Sequence, residues 1–288
     1  MASYLSANGA SACGVILAAA AGRCFLSDSL KVRQFGVLLF KARDFMDSLD
    51  GWLARAASRG RRMRMTVEPD TLGYYLDGIC DGIADVFLFV SILSYFHRNG
   101  LMQGGSGGGG SGNGSGNGGG SYLRLDVSAA AADLLPHNEK KKAQRLITQV
   151  KTSKQRVMAA LSPEARRFAP YFFFVLTVAG QHIVSAIAWN YNLILYHEAL
   201  ETAVYADTPA RAIAQNDCLK SSTMWMVIYF WRFFNPHSLN QYILLTILYN
   251  KSFEFFCAVQ FLGYLPILFS AGLSQVYYKV AVWTIMSA

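Results

Sequence analysis

The chain has 288 residues, 53% of them hydrophobic and only 15% charged, whereas soluble domains contain roughly 25% charged residues. This composition excludes a disordered chain and argues against a water-soluble enzyme, because several apolar runs approach the ~20 residues that cross a bilayer as a helix. The net charge of +8 would suit nucleic acid, but basic residues beside apolar helices are better explained by lipid headgroups or an anionic substrate. We therefore expect no nucleic-acid partner.

The apolar runs predict an all-α polytopic membrane protein with about six transmembrane helices in a single membrane domain, residues 1–288. Asn235-Pro236 is expected to break the fifth span, and Lys251 or Glu254 to mark the turn before the sixth. The spans, in chain order, are about Ala10–Leu26, Gln34–Arg55, Leu72–Tyr95, Phe168–Tyr196 and two within Thr223–Trp283. The first three fall within residues 5–95 and the others within residues 168–288.

Three segments between the spans have a different composition. Gly104–Ser121 contains only 12 Gly, 4 Ser and 2 Asn, which predicts a flexible linker. Residues 139–167 carry nine Lys/Arg and two Glu, and their periodicity predicts a basic interfacial helix near lipid headgroups. Asp207–Lys220 is expected to be a polar loop.

Four aspartates stand in the second and third predicted spans. Asp47 and Asp50 are three residues apart and Asp77 and Asp81 four apart, so each pair shares one face of its helix. On a soluble helix a solvated acidic face would explain them, but within a membrane each carboxylate costs about 2.5–3.5 kcal/mol and clustering adds repulsion. Carboxylate oxygens suit Mg²⁺ or Mn²⁺, which offset both costs. These aspartates therefore predict a metal site.

Small residues and a cation adjoin the acidic pairs. Gly51 directly follows the first pair, and Gly73 precedes the second by one helical turn. Glycine inside a helix costs about 1 kcal/mol relative to Ala, but it lets a ligand or another backbone approach closely. Packing between membrane helices would explain one such glycine, whereas glycines beside both pairs favour a ligand. Ala54 is small, and the planar guanidinium of Arg55 suits a phosphate.

The pattern D-x-x-D-G-x-x-A-R … G-x-x-x-D-x-x-x-D, from Asp47 to Asp81, resembles the signature of the CDP-alcohol phosphotransferases. The seventeen residues between Arg55 and Gly73 form a longer gap than is usual in that family. Residues 5–14, LSANGASACG, are also similar to the segment that opens the first helix in the family, with Ala7 where proline is usual. The resemblance covers about residues 5–95.

This resemblance implies a six-helix membrane enzyme, often a homodimer, that transfers a substituted phosphate from a CDP-alcohol to an acceptor hydroxyl and releases CMP. It implies two divalent cations, Mg²⁺ or Mn²⁺, and a base at Asp81 for the acceptor hydroxyl. The metal ligands that it implies are Asp47, Asp50, Asp77 and Asp81. The CDP-alcohol contacts that it implies are Asn8, Gly51, Ala54, Arg55 and Gly73.

Within the family, the long gap and the run from Leu72 to Asp81 look more like the invertebrate ceramide phosphoethanolamine synthases, which use CDP-ethanolamine and ceramide. The alternative is a phosphotransferase that uses CDP-choline or CDP-ethanolamine and diacylglycerol. A divalent-metal transporter, from another functional class, also explains paired acids in a membrane, although a cation pathway gains nothing from a fixed Arg55.

The distribution of basic residues predicts the orientation of the site. With six spans, seven Lys/Arg lie on the side of the loop at 55–71 and thirteen on the opposite side. The positive-inside rule then places the active site towards the lumen, which suits a ceramide-using enzyme of the Golgi or endoplasmic reticulum.

The predicted spans contain two further polar residues, His182 and Arg43. His182 in the fourth span is a functional candidate because of its position, but a histidine hydrogen-bonded to a neighbouring helix explains it equally well, and we do not predict that it is catalytic. Arg43, beside Asp44 and Asp47, is expected to be an ion-pair partner and not a direct substrate ligand.

Overall fold

The computed structural model describes residues 6–57, 72–100, 162–202 and 204–288, together with eight positions between 141 and 152. The regular elements of these residues are helical, which confirms the all-α prediction. The helices are α1 Ala7–Phe25, α2 Leu30–Ala57, α3 Leu72–Arg98, α4 Pro163–Tyr196, α5 Pro209–Lys220, α6 Ser222–Phe234, α7 Pro236–Leu248, α8 Ser252–Val259 and α9 Tyr264–Met286, with a π-helical turn at His197–Glu201 after α4.

Apolar helices identify the chain as a membrane protein. Among the described residues, the segments Gly78–Arg98 and Pro163–Glu201 are each long and apolar enough to cross a bilayer, and the bent pair α8 and α9 makes a third such segment if it is one span. The apolar side chains of α3 are exposed on the side away from Asp81, in a stripe with helical spacing. This stripe consists of Ile79, Ile83, Val86 and Val90. A surface of this kind is stable against lipid and costly in water.

The chain divides into two compact units. The first comprises residues Met1–Tyr95 and Phe174–Ala288, and the second comprises Phe96–Phe173. In the second unit the His97 ring contacts Phe168 and Tyr171 edge to face, with centroid distances of 5.3 and 5.5 Å. The described positions between 141 and 152 are helical and exposed. The predicted linker Gly104–Ser121 lies outside the described residues.

In the first unit, α1 and α2 form an antiparallel hairpin. Gly36 of α2 faces the end of α1 so closely that an added Cβ would lie 2.9 Å from the Phe25 ring. The Phe25 ring in turn packs near Phe40, with the centroids 6.4 Å apart. At the other end of the hairpin, Gly14 brings α1 next to Arg43, whose Cγ would be 3.8 Å from a Cβ at that glycine. Gly36 therefore lets the two helices approach closely near the turn, whereas the contact at Gly14 is an ordinary van der Waals contact.

Polar side chains fasten the start of α2 to the end of α7. Gln34 donates from Nε2 to the Leu248 carbonyl at 3.1 Å, and Arg33 donates to Oδ1 of Asn250 at 2.6 Å. The Arg33 guanidinium also lies over the Tyr95 ring, 4.5 Å from its centroid, which is cation–π geometry. Asn250 has a φ of 56°, a left-handed conformation that asparagine tolerates better than most residues and that here ends α7.

The C-terminal apolar region is divided where the sequence predicts. Asn235 separates α6 from α7 and accepts from the Ser238 amide at 2.9 Å as a helix N-cap, and Pro236 is the first residue of α7. Lys251 stands at the start of α8, so the second predicted turn is also confirmed. Trp231 of α6 is buried and donates to Ser274 Oγ of α9 at 2.7 Å.

The predicted polar loop at Asp207–Lys220 is wrong, because Pro209–Lys220 is helix α5. Thr208 caps it by accepting from the Arg211 amide at 3.2 Å, and a proline after a threonine cap is a strong helix start. Gln215 fastens α5 to the π-helical turn and the residue after it, because its Nε2 donates to the Ala199 and Thr202 carbonyls at 3.0 and 2.8 Å. The composition is polar because α5 has no buried residue, and polarity alone does not distinguish such a helix from a loop.

We predict that Gly22→Val destabilises the protein by about 1–3 kcal/mol, because overpacking at close helix contacts costs this much. A Cβ at Gly22 would lie 2.9 Å from Ser91 Oγ and 3.3 Å from the Phe87 carbonyl oxygen of α3. Thermal unfolding of the purified protein in detergent would measure the loss. Gly272→Val is the matched control, because a Cβ there meets no described atom within 4 Å. Equal melting temperatures for the two variants would contradict the prediction.

Candidate active site

The carboxylate of Asp50 is held by the first helix. Asp50 is only 7% exposed, and Ser11 of α1 donates its hydroxyl to Asp50 Oδ2 at 2.6 Å. Since the α1–α2 hairpin is antiparallel, Ser11 near the start of α1 lies opposite the last third of α2. The segment around residues 5–14 thus contributes a side chain directly to one of the predicted metal ligands.

The carboxylate of Asp81 is paired with a buried cation. Arg43 of α2, 5% exposed, forms a salt bridge from Nη2 to Oδ1 of Asp81 on α3. Its other terminal nitrogen lies 3.3 Å from Oδ1 of Asp44. Arg43 is therefore an ion-pair partner, as the sequence predicts, and it connects the acidic faces of two helices.

The two acidic pairs meet at this ion pair. The Asp47 and Asp81 side chains are in hydrogen-bonding contact, and Asp50 and Arg43 both act electrostatically on Asp47. One aspartate of each acidic pair, Asp47 of α2 and Asp81 of α3, therefore lies at this contact. The backbone of Asp77 is part of α3, one turn before Asp81, but its side chain lies outside the described residues.

The chemistry of this donor set fits divalent cations. All four predicted ligands are carboxylates, and hard oxygen donors are the ligands that Mg²⁺ and Mn²⁺ prefer. Two carboxyl groups in contact must share a proton or a cation, because two bare charges at that distance repel strongly. The described side chains contain no group of three or more metal-ligating residues close enough to hold an ion, so the metal site stays a prediction.

The positions predicted to contact the CDP-alcohol lie on α1, α2 and α3. Gly51 directly follows Asp50 on α2 and is partly exposed, and Asn8 is exposed in the first turn of α1. Ala54, Arg55 and Gly73 belong to the α2 and α3 helices, but their side chains lie outside the described residues. Their contact with a nucleotide stays a prediction.

A polar network fixes the acidic face of α2 against α7. Lys41 donates from Nζ to Asp44 Oδ2 at 2.9 Å and to Gln241 Oε1 at 2.6 Å. Gln241 completes the ring by donating from Nε2 to Asp44 Oδ2 at 3.0 Å. Because Asp44 also contacts Arg43, the position of the cation that pairs with Asp81 depends on α7.

A second polar cluster lies beyond Asp81 on α3. Asp85 is bonded through one oxygen to His182 Nε2 of α4 at 2.7 Å and through the other to Asn240 Nδ2 of α7 at 2.8 Å. His182 is therefore hydrogen-bonded to a neighbouring helix, the simpler of the two explanations that the sequence allows. Asp85 follows Asp81 by four residues and continues its helix face, so helical spacing could have indicated it. Asn240 gives no such signal.

Comparisons with known proteins identify the family of the chain. The family model for ceramide phosphoethanolamine synthase matches residues 1–107 and 135–282. The ceramide phosphoethanolamine synthase of Drosophila melanogaster is 27% identical over 276 residues, which cover 95% of this chain and 59% of that protein. This chain therefore corresponds to less than two thirds of the relative's length. No solved structure matches the chain. The family model covers both the helices that carry the four aspartates and the C-terminal helices that pack against them, and the chain belongs to the ceramide phosphoethanolamine synthase family.

Proposed function

We propose that the chain transfers phosphoethanolamine from CDP-ethanolamine to the primary hydroxyl of ceramide and releases CMP, as an integral membrane enzyme of the Golgi or endoplasmic reticulum. The observation that carries the proposal is the match of the ceramide phosphoethanolamine synthase family model over the helices that hold the four aspartates, where Asp81 is salt-bridged to Arg43 and Asp50 is hydrogen-bonded to Ser11. The acidic pattern that supplies these residues also supports a CDP-alcohol phosphotransferase mechanism.

In the proposed reaction the ceramide oxygen attacks the phosphorus that carries ethanolamine. A new P–O bond forms to ceramide, the P–O bond to CMP breaks, and CMP leaves with the bonding electron pair. The hydroxyl proton passes to a carboxylate oxygen of Asp81. The salt bridge to Arg43 holds the Asp81 carboxylate in position.

The residues proposed to hold two divalent cations are Asp47, Asp50, Asp77 and Asp81. When bound, the cations would neutralise the charge that develops on the phosphoryl oxygens. The chain's own contribution is to hold these carboxylates in place: the Ser11 hydroxyl orients Asp50 at 2.6 Å, and Arg43 orients Asp81. We assign CDP-alcohol binding to Asn8, Gly51, Ala54, Arg55 and Gly73.

The product identifies the donor and the acceptor. Purified protein would be incubated with CDP-ethanolamine or CDP-choline, each with ceramide or diacylglycerol, and the lipid product identified by mass spectrometry. Ceramide phosphoethanolamine is the expected product, whereas a glycerophospholipid would establish the diacylglycerol alternative. Divalent-metal uptake into liposomes without CMP release from any donor would establish a transporter and contradict the enzyme.

We predict that Asp47→Asn, Asp50→Asn and Asp77→Asn each lower turnover by on the order of 10²-fold or more, because each removes a hard anionic ligand from a site worth several kcal/mol of charge stabilisation. CMP release measures turnover, and size-exclusion chromatography tests folding. Asp217→Asn, the same change at an exposed acid on α5, is the matched control. Near-normal turnover in any of the three variants would contradict the shared metal site.

We predict that Asp81→Asn lowers turnover by roughly 10²–10⁴-fold, the usual contribution of a general base, and weakens CDP-ethanolamine binding much less. Turnover is measured by CMP release, and affinity by competition with labelled nucleotide. Asp44→Asn is the control, since it removes another partner of Arg43 without removing the proposed base. A parallel fall in affinity and turnover would leave Asp81 as a ligand only.

We predict that the loop at 55–71 faces the lumen. In a cysteine-free background, Gly60→Cys should resist a membrane-impermeant thiol reagent added to sealed vesicles from the cytosolic side, and should react once the vesicles are opened. Ser29→Cys, on the opposite side in the six-span arrangement, should react without opening. The reverse labelling of the two positions would place the active site in the cytosol and leave the chemistry unchanged.

A further inference from the structure

The cluster of Asp85, His182 and Asn240 contains two buried polar atoms that form no hydrogen bond with the described residues. Both His182 and Asn240 are only 6% exposed. Each has one end bonded to Asp85, at 2.7 and 2.8 Å. The other ends, His182 Nδ1 and Asn240 Oδ1, are buried and have no hydrogen-bond partner among the described residues. Buried polar atoms are nearly always paired, so such a pair of atoms calls for a specific explanation.

The bonds to Asp85 determine what these two atoms can do. The amide NH₂ of Asn240 donates to Asp85, and His182 donates from Nε2 in the tautomer in which Asp85 is the acceptor. On a ring with one proton, Nδ1 is then an acceptor, and Asn240 Oδ1 is an acceptor in any case. The cluster thus presents two acceptors and no donor. Its complement is a group with hydrogen-bond donors.

The cluster lies next to the proposed reaction centre. Asp85 is one helical turn beyond Asp81 on the same face of α3, an axial distance of about 6 Å. Asp85 is itself partly exposed, with 22% of its side chain accessible. The Phe89 ring covers His182 from one side, with its centroid 5.9 Å from that of the imidazole.

We infer that His182 and Asn240 recognise the acceptor lipid by accepting hydrogen bonds from its amide N–H and its second hydroxyl group. This inference rests on the proposed function, since it takes ceramide as the acceptor. In ceramide the amide nitrogen is on the carbon next to the one with the reacting hydroxyl, and the second hydroxyl is on the carbon after that. When the reacting hydroxyl is at Asp81, the amide N–H and the second hydroxyl of ceramide can extend over the one helical turn that separates Asp81 from the cluster.

The same contacts exclude diacylglycerol. Apart from its reacting hydroxyl, diacylglycerol has only ester oxygens, which are acceptors. Bound in the same place, it would leave both protein acceptors unpaired and would bring lone pairs against lone pairs. Sites built to hydrogen-bond a substrate N–H or O–H reject analogues that lack it by far more than hydrophobic pockets reject a missing methylene group. The cluster is therefore a specificity-determining site.

The test is a cycle of protein variants and lipid analogues. Transfer from CDP-ethanolamine is compared for ceramide, N-methyl ceramide, 3-O-methyl ceramide and diacylglycerol, in the unmodified protein, Asn240→Leu and His182→Leu. Each analogue removes one donor, and each substitution removes one acceptor. The ratio between two lipids is measured in the same sample, so partial misfolding cancels. Gln181→Leu is the matched control, because Gln181 is also buried and its amide donates a hydrogen bond to the Val259 carbonyl at 2.6 Å.

We expect the unmodified protein and the control to prefer ceramide over each methylated analogue by on the order of 10–100-fold, as for one lost buried hydrogen bond. Each variant of the cluster should lose this preference for one analogue and keep it for the other, and both should accept diacylglycerol better. Equal preference in all proteins would overturn the inference and leave the cluster as a helix clamp or a water site. If the variants changed only the preference between CDP-ethanolamine and CDP-choline, the inference would also be overturned. The N–H groups that the cluster recognises would then be those of the ethanolamine ammonium.

The same proteins and lipids are compared a second time in the absence of nucleotide. The four lipids compete with a photoreactive ceramide for crosslinking to each protein, which measures lipid binding independently of turnover. Selective lipid binding without CMP release would refute the proposed reaction but support the recognition site. If ceramide is a substrate but neither assay distinguishes it from the analogues that lack an N–H or O–H group, the reaction is supported and the recognition site is refuted.

Discussion

The arrangement of the site depends on placing several carboxylates in a small volume inside an apolar fold. Arg43 makes this possible, because its buried guanidinium bridges the Asp81 carboxylate of α3 and the acidic face of α2. A charge pair removed from water is stable only when its remaining hydrogen bonds are made. Gln241 of α7 and Lys41 hold Asp44, the second partner of Arg43, through a ring of hydrogen bonds. The acidic centre is thus supported by helices on both sides of it.

The sequence predicts the parts of this centre that follow from helical spacing. Asp47 of α2 and Asp81 of α3 come into contact because each lies on the acidic face of its helix. The break at Asn235-Pro236 is predictable for the same reason, since proline acts on its own helix. These features are local, and local geometry can be read from one chain segment.

Features that need a partner from a distant segment are not predictable in this way. Asn240 is one of several polar residues at the start of α7, with His237, Ser238 and Gln241, and only the packing of α7 against α3 brings it to Asp85. The pairing of Ser11 with Asp50 joins residues 39 apart in sequence. Helix α5 is missed for a different reason, because its polar side chains reflect exposure and not the absence of a helix. Composition reports the environment of a segment more directly than its backbone conformation.

The location of Asn240 and Gln241 on α7 has a consequence for how the protein is made. The acidic helices α2 and α3 leave the ribosome first, whereas the residues that complete Asp85 and Asp44 arrive only after α4, α5 and α6 have been synthesised. Until then these carboxylates lack their amide partners, at a cost that membrane insertion does not offset. A chain that stopped before α7 would keep the ion pairs of Asp44 with Lys41 and Arg43 and the contact of Asp85 with His182, but it would lack the two amide contacts. The polar contacts of α2 and α3 are therefore complete only after α7 has been synthesised.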